Sequence, residues 1–357
     1  MIVYVAEQGA TVTRRRGRIV VAKGPSTLQN VHLFDLEQVV LFGMIQVTTQ
    51  ALRALLAHGV DTVYLTLSGR FLGRLSSGLG KNIELRRTQF RSLGDAATAT
   101  NLARRYVEGK LRNYVVLLRR HNRTLRSQQV AGDSAGIRRC VARLDEADTV
   151  DEIRGLEGAG SARYFSALRS LLRAPGMAFF KRARRPPPDP INILLSLGYT
   201  MLGNLVHGMC EAAGLDPYLG ALHTVSYGRP SLALDLIEEF RPVIVDATVI
   251  RAVNTRQIGA SDFVRVSEED LVAEEEIWRQ LDEARSPDTE EPDTAPPRQV
   301  MITSAGLKKW LLAFERRLDD RTHHEGTGTQ LAYRQVLREQ VHAFARHLRG
   351  EQQYQPF

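Results

Sequence analysis

Three positions combine side chains that could share a divalent cation. Glu157 lies in Gly155-Leu-Glu157-Gly-Ala-Gly160, where flanking glycines would let a ligand or a DNA backbone approach the main chain. Between Glu157 and Asp189 there is no other acid, but there are seven bases: Arg163, Arg169, Arg173, Lys181, Arg182, Arg184 and Arg185. A lone carboxylate heading a basic tract suggests a metal ligand within a phosphate-binding surface. His223 ends the stretch Leu215-Asp-Pro-Tyr-Leu-Gly-Ala-Leu-His223. Asp235 and Glu238 stand at i and i+3, on one face of an expected 231–240 helix. Two carboxylates and one imidazole suit Mg²⁺ or Mn²⁺, the nitrogen tilting the set toward Mn²⁺. Each residue also has a structural reading. Glu157 could be a helix-start carboxylate, His223 a hydrogen-bonded core histidine, and Asp235 and Glu238 partners of Arg229 or Arg241.

Other constellations fit less well. His207, Cys210 and Glu211 share a helical face and could hold zinc, but their neighbours are core types. His323-His324-Glu325 lies among glycines and reads as a solvated turn. The chain has no G-x-S-x-G elbow and no Cys-x-x-Cys pair. Gly73 to Lys81 resembles a phosphate loop, yet leucine follows Gly78 where lysine is required.

The elements that must position these residues change character near residue 85. Before it the pattern is mostly β. There is a strand over 2–5, a hairpin turning at Gly17, alternation over 28–33 and a buried-type run over 38–42. A helix is expected over 48–58, a strand over 60–67, and a second hairpin through Ser68-Gly69 to Leu75. Beyond residue 86 the period is helical. Leu102, Val107, Leu111, Val115 and Leu118 form an apolar stripe, with Lys110 and seven arginines assigned to the other faces. Helices are expected over 137–147, from about 149, over 162–173, over 192–213 after a proline-rich break, and over 305–318 and 330–348. The fold class is therefore α+β. A small, sandwich-like β-rich domain (1–85) precedes a larger all-α domain (86–357).

Composition bounds the function. The 357 residues are 43% hydrophobic and 25% charged, as in a globular chain, and the two cysteines cannot build a disulfide scaffold. No secretory pattern opens the chain and no run of about eighteen apolar residues occurs, so a cytoplasmic protein without membrane attachment is expected. Twelve acids against two bases crowd Glu268 to Asp293, so the remainder carries +18 although the whole chain carries +8. Arginine far exceeds lysine in that basic body, which suits a polyphosphate partner because guanidinium forks match phosphate oxygens. The acidic, proline-rich segment 268–298 reads as a solvated insertion.

Several ordered blocks together resemble the CRISPR-associated integrase, the catalytic subunit of the spacer-acquisition complex. They are Gly155-Leu-Glu157-Gly with Arg163-Tyr164-Phe165, Arg184-Arg185-Pro with Asp189-Pro-Ile-Asn192, Gly214-Leu-Asp-Pro217-Tyr-Leu-Gly220-Ala-Leu-His223, and Gly228-Arg-Pro-Ser-Leu-Ala-Leu-Asp235-Leu-Ile-Glu238. Glu37 to Gly43, Thr48 to Gln50 and Gly69 to Arg74 extend the likeness into the first 85 residues. The resemblance implies a metal triad of Glu157, His223 and Glu238, with Asp235 as a supporting acid. It implies DNA contacts from Arg163, Arg182, Arg184, Arg185, Asn192 and Arg229. It further implies a β-rich dimerisation domain, a homodimer, and a small ferredoxin-like companion protein gripped by two such dimers. The implied reaction inserts double-stranded DNA with 3′ ends into CRISPR repeat DNA by 3′-hydroxyl transesterification, with endonuclease activity beside it. A structure-selective, metal-dependent nuclease acting in repair and a non-catalytic DNA-binding scaffold are the competing readings.

Overall fold

The computed structural model describes residues 1–78, 80, 82–183, 187–265 and 300–357. Arg184, Arg185 and the acidic segment 268–298 lie outside the described residues.

The first strands build two four-stranded sheets. β1 (Ile2–Val5), β5 (Gln38–Phe42), β7 (Asp61–Leu65) and β8 (Phe71–Leu75) form one, in the order β1-β5-β7-β8. β2 (Thr11–Arg15), β3 (Arg18–Lys23), β4 (Ser26–His32) and β6 (Gln46–Val47) form the other, in the order β4-β3-β2-β6. The hairpins expected from the sequence are present, β2 with β3 and β7 with β8. The first sheet is not a plain antiparallel sandwich layer, however, because β1-β5 and β5-β7 run parallel. A parallel pair needs a crossover, and α1 (Thr49–Ala57) supplies the one between β5 and β7.

Strand alternation in that sheet feeds two cores. Val3, Val5, Val39 and Leu41 face a small core shared with the second sheet and with Ala51 and Leu55 of α1. Ile2, Val40, Phe42, Val63 and Leu65 face the other way, into the large helical core. Both faces of β5 are thus covered, which is why all five of its residues are buried and its sequence reads as a continuous apolar run. Polar ties complete the junction. Arg74 pairs with Asp61 at 2.9 Å and donates to the Asn204 carbonyl at 2.7 Å.

The larger part is helical apart from two short ribbons, Phe263–Arg265 with Val300–Ile302 and Arg321–His324 with Thr329–Ala332. His324 belongs to the second ribbon and is buried, so the solvated turn expected there is corrected. Its helices include α2 (Ile83–Gly94), the 30-residue α3 (Ala96–Leu125), α4 (Gln128–Ala142), α5 (Val150–Leu171) and α6 (Pro190–Ala213). α4 starts nine residues ahead of the expected 137 because Ser127 caps it, its side chain accepting from Val130 N. α6 is long and apolar enough to span a membrane by length and composition, but 67% of its apolar window is buried, as befits a central core helix. α7 (Ser231–Ile237) ends earlier than the expected 240 and is followed by a π-helical stretch, Arg241–Asp246, that opens at a proline.

Two helices expected over 149–173 are one. α5 runs straight through Gly155-Leu-Glu-Gly-Ala-Gly160, nucleated by a capping box between Thr149 and Glu152. Only one of these glycines is needed for space. A Cβ on Gly160 would lie 2.4 Å from Leu111 of α3, whereas Gly155 and Gly158 meet nothing within 4 Å. Gly160→Val is therefore expected to lower stability by about 2 kcal/mol through overpacking. Gly158→Ala, in an open helical position, should raise it by about 0.5–1 kcal/mol. Urea unfolding midpoints read both, and shifts in the same direction would overturn the packing argument.

Candidate active site

Glu157 sits two turns inside α5, so it is not the helix-start carboxylate that one reading allowed. α3 packs beside it and turns Lys110 inward. The Lys110 side chain is 5% exposed, pairs with Glu157 Oε1 and lies 2.6 Å from Glu238 Oε2. Ser161, one turn along α5, donates a second hydrogen bond to Glu157 at 2.7 Å. Glu238 follows the end of α7 and also pairs with Arg241 at 2.8 Å, while the Arg241 guanidinium lies 4.9 Å from the centroid of the Tyr199 ring.

His223 enters from the loop before α7, and Asp235 fixes it there. The fully buried Asp235 carboxylate accepts from Ala221 N at 2.6 Å, Leu222 N at 2.9 Å, His223 N at 3.0 Å and the ring Nδ1 at 2.6 Å. With Nδ1 engaged, Nε2 is the free end of the ring, 3.6 Å from Glu238 Oε1. Gly220 permits this grip, because a Cβ there would stand 2.5 Å from Asp235 Oδ2. Arg154, one turn before Glu157, ties the same loop to α5 by donating from Nε to the Leu222 carbonyl at 2.8 Å. Asp235 therefore positions the histidine and is fully occupied in doing so.

The electrostatics keep both glutamates ionised. Burial alone would push the Glu238 carboxyl up, but Arg241, Lys110 and His223 bring it down to about 2. Burial also opposes ionisation of Glu157, and the Lys110 ammonium outweighs it, so that carboxyl too falls below its ordinary value. The neighbouring Glu239 points the other way, to Tyr354 and Gln340, and burial pushes it up to about 7. Among the described residues no three His, Cys, Asp or Glu side chains already converge on one ion-sized point. Glu157 and Glu238 meet across Lys110, and His223 completes the cluster through Glu238.

The remaining expected residues divide. Asn192 is completely buried and its amide is spent internally. It accepts from Arg182 at 2.8 Å and Ala183 N at 3.0 Å, and donates to Lys181 O at 2.9 Å and Asp189 at 2.7 Å. It pins the 181–183 segment to the start of α6, which corrects its assignment as a DNA contact. Arg182 joins that joint, reaching Ser196 at 3.0 Å as well as Asn192. Arg163 is exposed and lies across Gly136 of α4, away from the carboxylates. Arg229 stands half-buried just before α7, in the same α6–α7 connection as His223. The His207, Cys210 and Glu211 group is engaged within the fold. Burial pushes the Cys210 thiol well up, His207 Nε2 stands 3.5 Å from Glu211, and Arg74 approaches Glu211 at 3.9 Å.

Of the two bases at the centre, Lys110 lies outside the expected ligands and contacts, whereas Arg241 is the ion-pair partner that the structural reading of Glu238 allowed. A signal for Lys110 existed. It stands at helical spacing between Val107 and Tyr114, so it interrupts the apolar stripe instead of lying on an outer face.

A family model described as CRISPR associated protein Cas1 matches residues 3–284. The chain belongs to the Cas1 family. It is 35% identical to a CRISPR-associated endonuclease Cas1 of Thermus thermophilus, over 99% of this chain and 94% of that protein. It is 32% identical to another of Chlorobaculum tepidum, over 99% and 97%. The fold matches a Cas1 protein of Thermotoga maritima, with TM-score 0.78, 22% identity and full coverage of both chains. It also matches a casposase bound to its integration product, with TM-score 0.81, 19% identity and coverage of 99% and 92%.

In this Cas1 chain the Asp235–His223 bond is the support most exposed to a single change. Asp235→Asn keeps the shape but removes the charge that holds the ring. Endonuclease activity is expected to fall ~10–100-fold, with DNA affinity unchanged. Activity within twofold of wild type, in a variant that melts normally, would show that His223 does not depend on this support.

Proposed function

We propose that this chain is a metal-dependent DNA integrase and endonuclease that joins the 3′-hydroxyl ends of short DNA fragments to CRISPR repeat DNA by transesterification. The observation that carries this reading is the meeting of Glu157 and Glu238 on the Lys110 ammonium, with His223 Nε2 3.6 Å from the other oxygen of Glu238, in a member of the Cas1 family. The donor set fits Mg²⁺ or Mn²⁺: two carboxylates kept ionised by neighbouring bases, and one imidazole whose Nε2 is presented by a carboxylate on Nδ1. When bound there by Glu157, His223 and Glu238, the ion would polarise a phosphoryl oxygen and lower the pKa of an attacking hydroxyl.

The chain's own residues do the positioning. Asp235 keeps the imidazole from rotating, and Arg154 keeps its loop against α5. Arg229 lies close enough in sequence to His223 to neutralise a phosphate at the site. Arg163, Arg184 and Arg185 would extend that basic surface along the strand, holding it in line for displacement. With water in place of a 3′-hydroxyl, the same centre would hydrolyse a phosphodiester. Residues 1–85 would form the dimerisation unit and 86–357 the catalytic one, with a small ferredoxin-like companion between two dimers. A Cas6-RT-Cas1–Cas2 complex, one chain of which shares this fold at TM-score 0.78 and 22% identity, supports an assembly of this kind. Phosphate contacts carry little base information, so the choice of insertion site would rest on the companion or on DNA shape.

Glu157→Ala and His223→Ala should each abolish strand joining in Mn²⁺ while leaving DNA binding largely intact. The assay is a gel with a 3′-hydroxyl prespacer and a supercoiled repeat plasmid. Joined product in wild type alone supports the reading. Cleavage without joining would favour a repair nuclease, and chelator-insensitive binding without any cleavage would favour a scaffold.

A further inference from the structure

Lys110 occupies the position between the two carboxylates that a bound cation would take. Its Nζ contacts one oxygen of Glu157 and one of Glu238, with the whole side chain almost out of solvent. It is one of six lysines in a chain whose other 42 bases are arginines. The residue type matters. An ammonium is a compact point charge on a flexible four-carbon stem that can withdraw, whereas a guanidinium is a rigid planar fork. Carboxylates drawn out of water are costly without an opposite charge, so a cation between Glu157 and Glu238 stabilises the pair. A divalent ion and an ammonium compete for the same oxygens, because they repel each other in a desolvated site. Tyr114, one turn along α3, presents its ring 5.7 Å from Nζ and offers the displaced ammonium a cation–π partner.

We propose that Lys110 is a built-in counter-ion for the Glu157–Glu238 pair, exchanging places with the divalent metal. It holds the carboxylates together in the metal-free protein and leaves them when Mn²⁺ or Mg²⁺ enters. Metal affinity is thereby set by competition within the chain, not by the donor set alone. This rests on the reading of Glu157, His223 and Glu238 as the metal centre, and the test separates the two.

The experiment titrates full-length protein with Mn²⁺ and counts the unbound ion by electron paramagnetic resonance. Lys110→Met removes the competitor at similar volume and should tighten Mn²⁺ binding about tenfold or more. Lys110→Arg keeps a cation that withdraws poorly and should weaken binding by a similar factor. General damage to the site would weaken both, so opposite signs are the signature. If Lys110→Met is unfolded without metal, Mn²⁺ should restore its circular dichroism and melting transition. Equal or weaker Mn²⁺ binding by a folded Lys110→Met, or its failure to fold even with Mn²⁺, overturns the proposal while leaving the metal centre standing. Glu157→Gln is the control. If it binds Mn²⁺ as wild type does, the metal-centre reading itself falls and the exchange falls with it.

Discussion

Two like charges held near each other inside a protein are the constraint around which this fold is arranged. Glu157 and Glu238 come from segments eighty residues apart, and bringing them together would cost several kcal/mol without cations. Lys110 lies between them and Arg241 flanks Glu238. The reach of Lys110 depends in turn on how closely α3 and α5 pack. Leu111, next to Lys110, presses on Gly160, one turn beyond Glu157, at a distance that leaves no room for a Cβ. Helix packing, not loop geometry, therefore sets the separation of lysine and carboxylate. Under these helices, Tyr114 stacks on Tyr164 with ring centroids 3.6 Å apart, and Tyr164 and Tyr199 both donate to Asp246 of the π-helical stretch. One aromatic joint thus locks α3, α5, α6 and the segment following Glu238.

The histidine arm is held by a different principle. A loop carries His223, and loops tend to move. Four hydrogen bonds to the single carboxylate of Asp235 remove that freedom and choose which ring nitrogen faces the site. Because Asp235 and Glu238 are three residues apart on consecutive turns, orienting the histidine and placing the second glutamate are the same structural event.

Much of this was legible in the sequence, for reasons that can be named. Glu157 stood out as a lone acid before a basic tract, and Asp235 with Glu238 as an i, i+3 pair among leucines. The change of period near residue 85 marks where long helices take over, although two short ribbons that the all-α expectation lacked follow it. What one-dimensional pattern could not reveal was which member of a pair faces which partner. By spacing Asp235 and Glu238 are equivalent, and only the resemblance set them apart, yet one binds four donors and the other meets three bases. Asn192 was a DNA contact only by what the resemblance implied, and the fold shows its amide committed to Lys181, Arg182, Ala183 and Asp189. The glycines at 155–160 suggested a break, but tertiary packing of α5 overrides their low helix propensity. Parallel pairing of β1, β5 and β7 was hidden too, since local alternation carries no information about which distant strand lies alongside.

Glu238 and Glu239 show how far environment outweighs residue type. The two are adjacent, and both are buried. Glu238 meets an ammonium, a guanidinium and an imidazole, and is held ionised with a pKa of about 2. Glu239 meets a phenol, an amide and the Phe357 N–H, all neutral donors, and burial raises it to about 7. Neutral donors soften the loss of water around a carboxylate, but only opposite charge reverses it. Of the two, then, Glu238 is the one whose surroundings favour the ionised form. Tyr354 and Phe357 hold Glu239, while the adjacent and equally buried Glu238 meets Lys110, Arg241 and His223.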